Sequence, residues 1–168
     1  MNFIRNLNAK ITGAGSFLQH FLLLFFRLYW GFSFFQAGFG KLSNIENPIA
    51  FFTKLGIPFP TFNAYFVGGV EMIGGLLLLF GLASRIAAVP LAITMIVALL
   101  TAHMSATSEM FAALVNIHGN IDAFMAKMGK FTDEAPFNFL MASLVVLCFG
   151  PGKISIDFLL EKIFSRKK

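Results

Sequence analysis

Charge is what this chain has least of. Only 12% of its 168 residues are Asp, Glu, Lys or Arg, while 57% are hydrophobic. A soluble domain carries about 25% charged residues to face water, so the composition excludes a water-soluble globule. No charged residue stands between Arg85 and Glu109, and none between Glu134 and Lys153. Cysteine is equally scarce. A single one, Cys148, excludes an intrachain disulfide and any cysteine-based zinc or iron–sulfur centre; it reads as a small packing residue. No metal-ligand spacing is present, so no metal is expected. His20 and His103 fall at opposite membrane faces and cannot share a haem iron. A cleaved signal peptide is not expected either: the first apolar run is too long, contains Arg27 and has no small-residue cleavage site after it.

What is present is apolar length. A membrane-spanning helix needs about 20 apolar residues, and four segments approach this: Phe17–Gly40, Phe62–Leu82, Ile86–Met104 and the shorter Pro136–Phe149. The expected fold is all-α, one integral membrane four-helix bundle over residues 1–168, with interfacial amphipathic helices. The net charge of +5 is then a topology signal, not a sign of nucleic-acid binding. With the N-terminus inside, Arg5, Lys10, Arg85, Lys153, Lys162, Arg166, Lys167 and Lys168 are cytoplasmic. Lys41, Lys54, Lys127 and Lys130 are outside. This excess favours an N-in, C-in protein of the bacterial inner membrane, its terminal basic residues at anionic headgroups.

Between the spans the sequence predicts shorter elements. Residues 1–16 read as a polar lead. Asn47 suits an N-cap, Pro48 a first helical position and Gly56 a stop, which predicts a short outer helix. Residues 105–135 predict an amphipathic outer helix with Glu109 in its first turn, broken near Gly119 or Gly129; His118 falls on its apolar face with Phe111, Leu114, Ile121 and Met125. Ile156–Phe164 predicts an amphipathic piece along the inner face.

Two charges interrupt the apolar runs. Arg27 sits in the first, Glu71 in the second. A charge at the centre of a membrane helix costs roughly 2.5–3.5 kcal/mol on insertion scales, so such residues face protein and pair. Counting depth from each helix end puts both near the midplane and predicts an Arg27–Glu71 ion pair. That pair would be a site or simply hold two helices in register. On the first span, His20, Arg27, Gly31, Phe34, Gly38 and Lys41 share a stripe; Gln36 points roughly away from it. Gly68, Glu71 and Gly75 share a face of the second, so the carboxylate faces a closely packed neighbour. Lys41, Gln36 and His103 lie between the midplane and the outer interface. Lys41 has a plain alternative as a snorkelling lysine. If these groups point inward, they form a pocket of donors above a carboxylate. Such a pocket suits a quinone headgroup, with Glu71 and His103 as catalytic proton-handling groups and Arg27, Lys41 and Gln36 binding the cofactor. A small anion near Arg27 and Lys41 is the other occupant considered.

The order of motifs resembles the DoxX family of small bacterial membrane proteins. The resemblance rests on Arg27 followed by GFSFFQAGFGK (Gly31–Lys41), then LGIPFP, then EMIGGLLLLFGLASR (Glu71–Arg85), the histidine ending the third span, and GPGKISID (Gly150–Asp157). It covers about residues 22–105 and 148–158; the segment 106–135 finds no counterpart. The resemblance implies a four-helix membrane bundle and a heading of membrane oxidoreductase components, some linked to quinones or sulfur compounds, some assembling with soluble redox enzymes. By family position it carries over Arg27, Lys41, Glu71, Arg85 and His103. The expected function is a quinone-associated redox component, with the bilayer, a redox partner protein and further copies of the chain as partners. A non-enzymatic anchor for a soluble redox enzyme and a small-molecule transporter are the alternatives.

Overall fold

The structure, a computed structural model, describes residues 2–116 and 120–165. His118, expected on the apolar outer face, and the terminal Arg166, Lys167 and Lys168 lie outside these residues. Eight helices make up the described chain: α1 (Asn2–Ser43), α2 (Glu46–Lys54), α3 (Pro60–Phe80), α4 (Ser84–Thr101), α5 (Met104–Val115), α6 (Ile121–Thr132), α7 (Ala135–Phe149) and α8 (Ile156–Ser165). The class is all-α, as the composition predicts. Three helices are long and apolar enough to cross a membrane: α1 over Ile11–Ser43, α3 and α4. The expected fourth, shorter span corresponds to α7. At 15 residues, α7 alone falls short of the roughly 20 a bilayer requires. It reaches spanning length only together with α6, from which it bends by 74°.

The lead at residues 1–16 also differs from expectation, because α1 is helical from Asn2. The stretch contains glycines but no proline, and a helical glycine costs only about 1 kcal/mol. The short helix α2, at the end of the bundle labelled outer and opposite the α3–α4 turn labelled inner, begins at Glu46, before the expected cap. Its preceding residue Ile45 is already helical and Asn47 makes no side-chain cap; the amide of Asn47 instead closes a turn onto the Asn44 carbonyl. Gly56, at φ +70°, ends the element as expected. The outer segment is two helices, interrupted between Val115 and Ile121, at the break expected near Gly119 and not at Gly129. Asn120 caps α6 by accepting from the Ala123 amide at 3.0 Å, and Glu109 on α5 reaches Lys127 at 2.6 Å and Lys130 at 3.5 Å on α6.

Glycine sets how α1 meets α3. A Cβ at Gly31 would lie 2.7 Å from the Leu79 nitrogen, and one at Gly38 2.6 Å from the Gly68 carbonyl. Without Cβ atoms the antiparallel backbones approach closely. The predicted stripe is the packed one: Arg27, Gly31, Phe34 and Gly38 are buried, His20 and Lys41 half-buried. A tight turn through Gly81 and Ala83, both left-handed, sends the chain into α4. Leu91 of α4 fills the space left by Gly74, and α4 packs along α7. The core is centred on Phe34, Leu78, Leu91 and Val146, and the Phe34 ring meets Phe139 at 4.5 Å.

Candidate functional site

Arg27 and Glu71 do not meet. The glycine contacts explain why. They set Gly31 against Gly75 and Leu79, and Gly38 against Gly68 and Met72. In that register Arg27 is level with Gly81, at the inner turn, while Glu71 is level with residues near Gly38. Counting from helix ends misled because α1 extends well beyond the bilayer-length segment.

Arg27 belongs to the inner end. It is buried, and its Nη2 donates to the Ile154 carbonyl. A Cβ at Gly81 would strike the guanidinium, so the turn closes over Arg27 only because it has none. Asp157 supplies the nearby negative charge. The Asp157 carboxylate also caps α4, accepting from the Ala83 amide at 2.7 Å and the Ser84 amide at 3.1 Å, and its own amide donates to the Gly81 carbonyl at 2.9 Å. The GPGKISID segment is therefore a buckle that joins α1, the α3–α4 turn and α8. Arg85 lies beside it, its Nη2 3.4 Å from the Cys148 carbonyl. A small anion shared by Arg27 and Lys41 is ruled out by this separation.

Glu71 pairs with Lys41 instead. The Lys41 ammonium donates to Glu71 Oε2 at 2.5 Å. Glu71 lies near the middle of α3 with its side chain 4% exposed, against 34% for Lys41. Lys41 occupies the last turn of α1, where the helix dipole favours a cation, and its flexible stem reaches down to the carboxylate. The glycines around Glu71 let α1 and α4 close on the two sides of α3: Gly68 against Leu42, Gly75 against Phe35, Gly74 against Leu91.

The pair forms part of the wall of a cavity of about 460 Å³ in the outer half of the bundle. Phe34, Val67, Met95 and Phe139 make it apolar, and α2 contributes Phe51 and Phe52. His103 lines it too, at the junction of α4 and α5. Its Nδ1 is 2.6 Å from Glu134 Oε2. The structure thus gathers Lys41, Glu71 and His103 around one space and leaves out Arg27 and Gln36. Gln36 is exposed because it sits about 160° round the helix from Phe34 and about 140° from Lys41. Thr94 also lines the cavity, its hydroxyl donating to the Leu91 carbonyl at 2.8 Å. Among the described residues no three His, Cys, Asp or Glu side chains group as for a metal.

Sequence reasoning missed two acids. Glu134 precedes Pro136 at the start of α7, and its pairing with His103 spans α4 to α7, beyond local spacing. Asp157 stands within a recognised motif; the signal was a buried Arg27 in need of a counter-charge at the inner end.

The DoxX family model matches residues 22–104. A Bacillus subtilis (strain 168) protein named "Putative oxidoreductase CatD" is 41% identical over 83 residues, 49% of this chain and 60% of that protein. "Uncharacterized membrane protein Rv3486" of Mycobacterium tuberculosis (strain ATCC 25618 / H37Rv) is 35% identical over 111 residues, 66% of this chain and 63% of that protein. The chain thus spans about three fifths of the length of these curated relatives. No solved structure matches. Lys41, Glu71 and His103 lie within the matched segment; Glu134 and Asp157 lie beyond it.

Proposed function

Residues 22–104 make this chain a member of the DoxX family, a multi-pass membrane protein, and from that premise we propose that it is a quinone-associated redox component of the bacterial inner membrane. The observation that carries the reading is a cavity of about 460 Å³, apolar on most sides, with Lys41, Glu71 and His103 on its wall. Small-ligand sites span about 300–1,000 Å³ and combine an apolar lining with a few placed polar groups. A bound quinone supplies a two-electron, two-proton acceptor. The chain's residues do the rest. An ammonium has three N–H donors, so Lys41 keeps donors for a headgroup carbonyl while it holds Glu71. Glu134, accepting from His103 Nδ1, leaves the other ring nitrogen for the cavity. Glu71 and Lys41, already hydrogen-bonded, pass a proton between them at the point where a carbonyl oxygen would need one. Electrons come from a redox partner protein. The word oxidoreductase in the Bacillus subtilis relative's name agrees with this reading. The N-in, C-in orientation puts the cavity in the outer half of the bilayer.

Purification in mild detergent followed by mass spectrometry of the extract tests the proposal. A quinone co-purifies with the wild type, and Lys41→Met/Glu71→Gln, which removes the carbonyl donor without stranding the carboxylate, lowers its occupancy about tenfold or more. A wild-type extract without quinone, together with no saturable binding of added quinone, would end this reading. A second reading, an anchor for a soluble redox enzyme, draws on the α5–α6 hairpin. That hairpin lines none of the cavity and exposes Phe111, Val115, Ile121 and Met125.

A further inference from the structure

A quinone headgroup with a hydrocarbon tail has to enter from somewhere, and the cavity has one edge at bilayer depth. α3 and α4 leave their tight turn together and touch where Leu91 fills the space beside Gly74. Outward of that contact they become facing walls, with Val67 and Glu71 on one and Thr94, Ala98 and Thr101 on the other. The alanines of α4 keep that wall thin. Val97 and Thr101 line the cavity and are also exposed on the outside of the bundle; residues with both properties form a rim. Val97 lies four residues below the outer end of α4, about 6 Å at helical rise, where acyl chains and not water surround a spanning helix. The outer end of the cavity is covered differently: Pro48, Phe51 and Phe52 of α2 lie over it. Access is thus apolar above and lateral at the side.

We propose that the cleft between the outer halves of α3 and α4, rimmed by Val97 and Thr101, is a lateral portal through which a tailed amphiphile enters from the bilayer, its tail lying in the cleft and its headgroup at Lys41 and Glu71. The proposal rests on the quinone reading of the same cavity and adds to it the ligand class, a lipid-dissolved molecule, and the route. Tailed and tail-less ligands should therefore respond differently to a blocked rim.

The chain carries its own reporter. Trp30 is its one tryptophan, and its ring lies 5.2 Å from Phe139 on the cavity wall. Quenching of Trp30 fluorescence is measured in nanodiscs with two probes, a benzoquinone without a tail and the same ring bearing a decyl chain. In Val97→Phe/Thr101→Phe the decyl probe binds about tenfold more weakly, the effect of losing the burial of roughly two methylenes, while the tail-less probe binds as to wild type. Ile93→Phe, which adds the same bulk to an exposed position of α4 outside the cavity, leaves both probes unchanged. Equal weakening of both probes by the rim variant, or of neither, overturns the portal while the headgroup site stands. Failure of both probes to quench wild type saturably removes the quinone reading and the portal with it.

Discussion

At the scale of single residues, Lys41 and Glu71 show how unequal the two halves of an ion pair can be. Glu71 is enclosed by helix contacts, whereas a third of the Lys41 side chain remains accessible. Removing one partner of a buried pair strands the other and costs about 3–5 kcal/mol. Lys41→Met should therefore destabilise the fold strongly, because Glu71 cannot turn to water. Glu71→Gln should cost less, because Lys41 can swing outward. The double variant should recover much of the loss. Chemical unfolding in detergent gives the coupling, and additive single effects would show that the two side chains act independently. Arg27→Met combined with Glu71→Gln should be additive to within about 0.5 kcal/mol, since Arg27 is held by the inner buckle. This pattern separates the observed pairing from the one that charge and depth counting predict.

At the scale of elements, α1 and α3 are positioned by what their glycines lack. Gly38 and Gly40 lie two residues apart on α1. A Cβ at Gly38 would press on the backbone of α3, 2.6 Å from the Gly68 carbonyl, whereas one at Gly40 meets nothing within 4 Å. Gly38→Ala should force the helices apart and cost about 1–3 kcal/mol, the range for overpacking. Gly40→Ala should be neutral or stabilise by up to about 1 kcal/mol through helix propensity. Thermal unfolding of the two variants in the same detergent distinguishes them, and equal effects would contradict the close approach. The same contact sets the height of Lys41 above Glu71, so Gly38→Ala should also weaken any ligand bound at the pair.

At the scale of the whole molecule, a spanning bundle supports an outer α5–α6 hairpin that is held by different forces. Hydrogen bonding from Lys127, then the charges of Lys127 and Lys130, hold the Glu109 carboxyl below its usual value. A carboxyl whose folded value is depressed contributes stability above its unfolded value of about 4.3, and that contribution fades as the pH falls. Protection factors across α5 and α6, which correct exchange for its intrinsic slowing in acid, should thus fall below about pH 4, while protection in α3 and α4 persists. Because the pair is exposed, 0.5 M salt should produce a similar loosening at neutral pH, the Debye length there being only a few ångströms. Unchanged protection under both conditions would mean that apolar contacts alone hold the hairpin.

The membrane class, the apolar lengths of α1, α3 and α4 and the packed stripe of α1 were all legible in the sequence, because they are one-dimensional properties: hydropathy summed over a window and side chains repeating every 3.6 residues. The match to the DoxX family was legible for the same reason, in motifs read along the chain. Lys41, Glu71 and His103 could be nominated individually as polar groups in apolar surroundings. What the sequence could not determine was which charge faces which. A helix repeats every 5.4 Å, so sliding α1 along α3 by one turn keeps every apolar face satisfied and changes every partner. The register was decided by backbone contacts at Gly31, Gly38, Gly68 and Gly75, and these exist only once the helices have packed. They placed Arg27 near Ile154 and Asp157 and brought Lys41 to Glu71, while the packing of α4 along α7 let His103 and Glu134 meet.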